Sequence, residues 1–303
     1  MSTAEKLKDI RRRAGKNRIA YLFLAPFFIL FFIFTVVPVI ISLFLSLTAY
    51  NMLQPPRFIG IGNYLRLFFS DDTFFLALRN TIVYAIITGP AGYIASFLVA
   101  WFINEMSPRI RSVIILLFYA PSISGTVYMI WKLIFSNDAY GYVNGILMRL
   151  GIIDAPILWL QSEKYVLTVV ILVALWLSLG TSFLAFVAGL QGVDRSLYEA
   201  AAIDGVRNRW QEMWFVTLPS MRPQLMFGAV MSITGAFSVG DLTANLAGMP
   251  SVKYAAHMIV NHMVDYGTIR FEMGYASAIA TVLFLLMVGT NKIVQSALKK
   301  IGD

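Results

Sequence analysis

Leu197-Tyr198-Glu199-Ala200-Ala201-Ala202-Ile203-Asp204-Gly205, followed by Leu218-Pro219, is a small polar, helix-forming insert between two long apolar segments. Alanine is the strongest helix former, and Ser196 with Glu199 three residues later fits a capping box. Gly205 supplies a left-handed stop. Asn208 can cap a second short helix running toward Val216, and Pro219 and Pro223 are expected to end it and open the next apolar segment. The stretch 193–222 therefore reads as helix, turn, helix. Taken alone, Glu199 is either a cap or a contact. A cap does not explain three consecutive alanines, whose small side chains let a helix sit deep in a groove on another protein. Tyr198, Glu199 and Asp204 are expected around that smooth patch.

The surrounding chain is 58% apolar and only 13% charged, against about 25% charged for a soluble domain, with a mean hydropathy of +0.73. Six apolar segments approach the roughly 20 residues needed to cross a bilayer: 19–47, 75–103, 110–135, 166–192, 223–246 and 276–293. The first, at about 1.5 Å per residue, is about 43 Å long and is expected to tilt or bend at Pro26 or Pro38. The chain thus reads as an all-α integral membrane protein with six transmembrane helices. A basic tail, 1–18, precedes a membrane domain, 19–303. Sixteen of the 24 Lys and Arg residues fall on the side of the termini and of the 193–222 loop, which the positive-inside rule makes cytoplasmic. The same rule accounts for the net charge of +8 without nucleic acid. The first apolar run is too long for the core of a cleavable signal. With no cysteine, thiolate catalysis, thiolate metal sites and disulfides are excluded.

Glu199-Ala200-Ala201, three residues, Gly205, and then Val216-x-Leu218-Pro219 resembles the EAA signature of binding-protein-dependent ABC importer permeases. Phe58-Ile59-Gly60 with Asn63-Tyr64 and Asn80-Thr81, Pro121, Trp131, Phe135 and Gly141 with Asn144, and Gly274-Tyr275-Ala276-Ser277-Ala278 resemble, in order, elements of the carbohydrate-type branch. That branch includes the maltose, glycerol-phosphate and multiple-sugar permeases. Ten residues separate Gly205 from Val216, one more than is usual in that family. The resemblance implies a type I importer permease fold. Tyr198, Glu199, Ala200, Ala201, Asp204, Gly205, Leu218 and Pro219 would form the coupling loop that docks on two ATP-binding subunits. It also implies a second homologous permease completing a heterodimeric pore, an extracellular solute-binding protein, a sugar substrate, and a multi-pass location among the lipids of a bacterial or archaeal cell membrane. ATP and magnesium would belong to the partner subunits, because no G-x-x-x-x-G-K-[ST] stretch occurs here.

A sugar path needs hydrogen-bonding groups and aromatic faces. Ser232, Thr234, Ser238, Asp241, Thr243 and Asn245 form a polar run in the fifth apolar segment, where Asp241 is the only acid. An ionisable group there is a functional candidate, or else an interhelical hydrogen bond. Tyr128 and Trp131 are either stacking platforms or interfacial aromatics. His257 and His262, five apart, do not have helical zinc spacing and read as structural. An ion-coupled secondary transporter of a small polar solute is the alternative, and would need coupling-ion sites, usually several buried carboxylates or a broken helix at the midplane. An intramembrane enzyme lacks any paired acids or Ser-His-Asp set.

Overall fold

The computed structural model describes residues 18–299. Lys6 to Lys16 of the basic tail and Lys300 lie outside them. The described chain is mostly helical, because a backbone in hydrocarbon must satisfy its own N–H and C=O groups. One two-residue antiparallel ladder, Thr48–Ala49 on Arg57–Phe58, closes the first connecting loop.

In chain order the helices used below are α1 (Tyr21–Leu45) and α2 (Asp72–Asn104), then α3 (Pro108–Ile123) and α4 (Tyr128–Ile134). They continue with α5 (Val166–Gln191), α6 (Arg195–Ile203), α7 (Arg209–Glu212), α8 (Arg222–Phe237), α9 (Asp241–Ala247), α10 (Ile259–Val264) and α11 (Met273–Lys299). Four of them, α1, α2, α5 and α11, are long and apolar enough to cross a membrane. The third and fifth expected spans are not straight rods. α3 and α4 meet at 86° across Ser124-Gly125-Thr126-Val127, and α8 and α9 at 42° across Ser238-Val239-Gly240. Counting each bent pair as one span gives six.

α2 is the axis of the bundle. At 33 residues it is about 50 Å long, and α5 and α8 pack along it, with α11 behind α8. Three buried clusters run along this axis. Phe97, Trp101, Phe183, Phe186 and Met221 sit at the end carrying the 193–222 loop. Val166, Val170, Val173 and Met258 lie in the second, and Leu67, Phe74, Ile259 and Ile279 in the third. Close helix approach is set by glycine. A Cβ on Gly92 would stand 2.8 Å from Ser178 Cβ, and one on Gly228 2.5 Å from the Phe186 ring. α1 has no buried residue in its apolar window, and its last turns, Val37–Leu45, pack on α11. It contains Pro26 and a π-turn over Phe32–Val36 just ahead of Pro38, where the missing N–H releases a carbonyl of the preceding turn.

Candidate functional site

The 193–222 loop is built as two capped helices. The cap of α6 is Asp194, whose carboxylate accepts from the Ser196 amide at 3.0 Å; Ser196 itself lies inside the helix, which corrects the capping-box reading. Asp204 closes α6, and its amide donates to the Ala200 carbonyl. Gly205 follows at φ +96°, and the Val206 amide returns to the Ala201 carbonyl at 3.0 Å, satisfying the last free acceptors of the helix. Asn208 caps α7 as expected, accepting from the Gln211 amide at 2.9 Å.

Pro219 does not end the second helix. α7 runs on through a π-turn over Met213–Thr217 into Leu218–Ser220, and the π-turn just ahead of Pro219 accommodates its missing N–H. The break comes at Met221. A π-turn holds one residue more than an α-turn, so the longer Gly205-to-Val216 spacing is taken up inside the helix. Met213, Val216 and Thr217 stay buried.

Glu199, Ala200 and Ala202 are exposed and Ala201 is half-buried. Ile203, beside them, is 87% exposed. The ridge is therefore open and smooth. Tyr198 differs from its expected place: it turns inward, and its hydroxyl shares a 3.0 Å hydrogen bond with Thr217 Oγ1, tying α6 to the second helix.

Within the bundle, a cavity of about 410 Å³ opens between α2, α5 and α8. It is lined by hydroxyls from Tyr84, Thr88, Ser178, Thr181, Ser182, Ser232, Thr234 and Ser238, and by no charged side chain. The helix of α5 is interrupted after Trp176 and resumes at Thr181, with Ser178 against Gly92 of α2 and Ser182 against Gly228 and Ser232 of α8. Several of these hydroxyls are parked on their neighbours. Ser182 Oγ donates to the Gly228 carbonyl and lies 3.1 Å from Ser232 Oγ, while Thr88 donates to the Tyr84 carbonyl and Ser178 to Leu175. Of the residues singled out in sequence, the cavity brings together Ser232, Thr234 and Ser238. Asp241 and Asn245 lie past the bend, on α9, where Asn245 Nδ2 donates to the Asp241 carbonyl. Thr243 is buried and bonded to Gly240 and Asn261. Tyr128 and Trp131 pack in the second cluster, with Trp131 stacked on Phe135 and edge-on to Trp176. Thr88, Ser178, Thr181 and Ser182 went unnoticed in sequence. The Ser-x-Gly-Thr-Ser interruption at 178–182 is the signal that marks three of them.

At the end away from the 193–222 loop, Asp71 joins three elements. It caps α2 by accepting from the Phe74 amide, and its second oxygen accepts from His262 of α10 at 2.9 Å and from Tyr275 of α11 at 2.6 Å. Burial alone would raise its pKa; the hydrogen bonds from His262, Tyr275 and the Phe74 amide together outweigh this and hold it at about 2. Burial pushes His257 down to about 4, and neighbouring His262 adds to that. Arg66 pairs with Glu272 and lies over the Tyr275 ring. The motif residues of this end are likewise structural. Asn63 bridges the carbonyls of Ser46 and Thr48, Asn80 those of Tyr254 and His257, and Asn144 holds Ser136, Asp138 and Ile157 together.

The family model described as the binding-protein-dependent transport system inner membrane component matches residues 80–299. The probable ABC transporter permease protein YesP of Bacillus subtilis is 33% identical over 94% of this chain and 91% of its own. The arabinooligosaccharides transport system permease protein AraP of the same organism is 31% identical over 90% and 86%. The lactose transport system permease protein LacF of Rhizobium radiobacter is 30% identical over 88% and 89%. Among solved structures, a bacterial ABC transporter involved in import of the acidic polysaccharide alginate superposes with a TM-score of 0.77 at 22% identity, covering 97% of this chain and 100% of that one. That likeness is one of fold. With the family model spanning most of the chain and relatives matching nearly end to end, this multi-pass membrane protein belongs to the binding-protein-dependent ABC transporter permeases, the non-catalytic membrane components of their transporters.

Proposed function

We propose that this chain is one transmembrane subunit of an ATP-driven, binding-protein-dependent importer of a sugar or oligosaccharide, in a bacterial or archaeal cell membrane. The observation that carries the reading is the open Glu199–Ala202 ridge, stopped by Gly205 at positive φ and mounted on a loop rooted in the bundle. It is a convex, small-residue surface suited to a groove on another subunit. The loop end faces the cytoplasm by its cations, Arg109, Arg111, Arg195, Arg207, Arg209 and Arg222 among them. Two ATP-binding subunits, carrying ATP and magnesium, dock there. A second, homologous permease completes the pathway, and an extracellular solute-binding protein delivers solute at the opposite end.

The hydroxyl-lined cavity supports a polyhydroxylated solute, and relatives named for arabinooligosaccharide and lactose transport support a sugar. Thr234 and Ser238 contact the passing solute, with Asp241 and Asn245 just beyond the bend and Tyr128 and Trp131 flanking. ATP-driven closure of the docked subunits shifts the bundle between inward- and outward-open packings, as any ligand shifts an equilibrium by its differential affinity. Coupling through buried carboxylates needs such a group in the path, and this cavity is lined by no charged side chain.

The test is co-purification of the tagged chain from its host in mild detergent, then solute uptake by the recovered complex in vesicles. A second permease, an ATPase and ATP-dependent uptake are expected, with uptake lost in Glu199→Lys. A homo-oligomer that accumulates solute on an ion gradient without ATP overturns the reading.

A further inference from the structure

We infer that the loop's motion enters the membrane bundle through a two-part joint at the end of α2, made by Arg209 and Trp210 on one side and Glu105 and Trp101 on the other. The inference rests on the reading of the loop as a docking element.

Trp101 and Glu105 are four residues apart at the end of α2, so they share one face. Two adjacent residues at the start of the second loop helix engage both. Arg209 Nη2 lies 3.0 Å from Glu105 Oε1, and the Trp210 ring lies 5.2 Å from that of Trp101 at 46°. The other arm of the guanidinium holds Glu212 at 2.9 Å, so Arg209 is fixed to its own helix while it reaches across. Trp101 is buried, whereas Trp210 is more than half exposed. An exposed ion pair alone holds weakly. Two contacts, one ionic and one aromatic, resist both sliding and rotation of the loop on α2.

α2 is suited to receive that motion. It runs unbroken from Asp72 to Asn104. Tyr84 and Thr88 along its length line the cavity, and Asp71 at its start carries α10 and α11. A displacement at Glu105 is therefore passed along one continuous helix, with Pro90 midway, to the cavity and the opposite face. Arg209, Trp210 and Glu105 are positioning residues: they touch neither solute nor nucleotide, and act through α2.

The test uses the complex recovered with its ATP-binding subunits, second permease and binding protein, in lipid vesicles. Because the chain has no cysteine, Ser238→Cys places one reporter in the cavity. Its labelling by a small water-soluble maleimide is read with and without MgATP and vanadate, alongside ATP hydrolysis. Labelling is expected to change on trapping. Trp210→Ala and Glu105→Arg should each lose that response, per ATP hydrolysed, by about fivefold or more. Trp210→Phe should regain it, and so should the exchanged pair Glu105→Arg/Arg209→Glu carried with Glu212→Arg, which keeps the intrahelical partner of position 209. A full response in Trp210→Ala and Glu105→Arg overturns the joint, as does an exchanged pair no better than its single variants. If Trp210→Ala does not assemble, the exchanged pair decides alone. An unmutated joint whose reporter ignores ATP overturns the importer reading instead.

Discussion

Replacing Asp71 by alanine removes a cap and two buried hydrogen bonds in one step. Asp71 is 8% exposed, and its two side-chain partners, His262 and Tyr275, are each 2% exposed, so its loss leaves two buried donors facing the space it filled. Loss of the cap on α2 costs about 1 kcal/mol. Each buried donor left without an acceptor costs about 1–3 kcal/mol. The sum, allowing for partial relaxation, is about 4 kcal/mol, or about a thousandfold in the local opening equilibrium. Asp71→Asn separates the contributions. Its carbonyl still accepts from the Phe74 amide, and its amide can face a His262 tautomer protonated at Nδ1, an atom that now has no partner. It should cost less than half as much. The assay is amide hydrogen exchange by mass spectrometry on the purified protein in detergent, following residues 259–275, where α10 and the start of α11 lie. The reasoning fails if Asp71→Ala opens that segment by less than tenfold, or if alanine and asparagine have equal effects.

The same cluster predicts a two-stage response to acid. His257 has a folded pKa of about 4, below its ordinary 6.5, so the unfolded form binds more protons and stability falls as pH drops from about 6.5 to about 4. Asp71, at about 2 against an ordinary 3.8, contributes stability that is present above about pH 4 and is lost as pH falls toward 2. His257→Gln should flatten the first stage alone, read by exchange of the same segment across pH. Gly205→Ala meets no atom within 4 Å, so only the backbone at φ +96° opposes it. About 1–2 kcal/mol should fray the end of α6 and reduce ATPase docking, measured by co-purification. Asp194→Ala should shorten α6 while Ser196→Ala leaves it intact, read by exchange over 195–203. Gly228→Ala forces a methyl into the buried Phe186 ring, which is itself edge-on to Tyr93 and Phe97. A cost of about 1–3 kcal/mol should appear as a lower thermal unfolding midpoint, with Ser232→Ala on the same helix as the control.

The loop was legible because its information is local. Alanines, an Asn cap and a glycine stop act within four residues of themselves, and composition alone dictates that the apolar segments become helices. The choice of cap shows the limit. Ser196 and Asp194 both precede the alanine run, and only the backbone at Asp194, at φ −66° and ψ 128°, decides which one starts the helix. The bends were illegible for a different reason. Hydropathy averages over Ser124–Val127 and Ser238–Gly240 as if they were continuous spans. The second break is fixed by tertiary packing, since a Cβ on Gly240 would meet Val260 at 2.5 Å and Asn261 Nδ2 donates to the Gly240 carbonyl. That bend is also why Asp241, the acid that stood out in sequence, lies beyond the cavity. Asp71 did not stand out, because an aspartate before a helix reads as an ordinary cap. Its two other partners come from positions 191 and 204 residues away.

The cavity was legible only in part because a hydroxyl lining a path and a hydroxyl bonded to its own helix have the same sequence signature. Here they are often the same group. Thr88, Ser178 and Ser182 each rest on a backbone carbonyl, at 2.8, 2.7 and 3.1 Å. Such a group leaves no unsatisfied donor in the empty cavity, which in a low-dielectric interior would be costly. On the proposed path, a sugar hydroxyl reaching one of these donors would exchange one acceptor for another of similar strength, so the net gain per contact would be small. A charged side chain in the same place would carry a large desolvation cost when the cavity is empty and would hold a polar solute tightly once it was full. Conduction requires binding favourable enough to admit a solute and weak enough to release it. If the proposed path runs here, exchangeable hydroxyls on three packed helices would meet both conditions, and the energy for directional movement would come from outside the bundle, through a partner docked on the Glu199–Ala202 ridge.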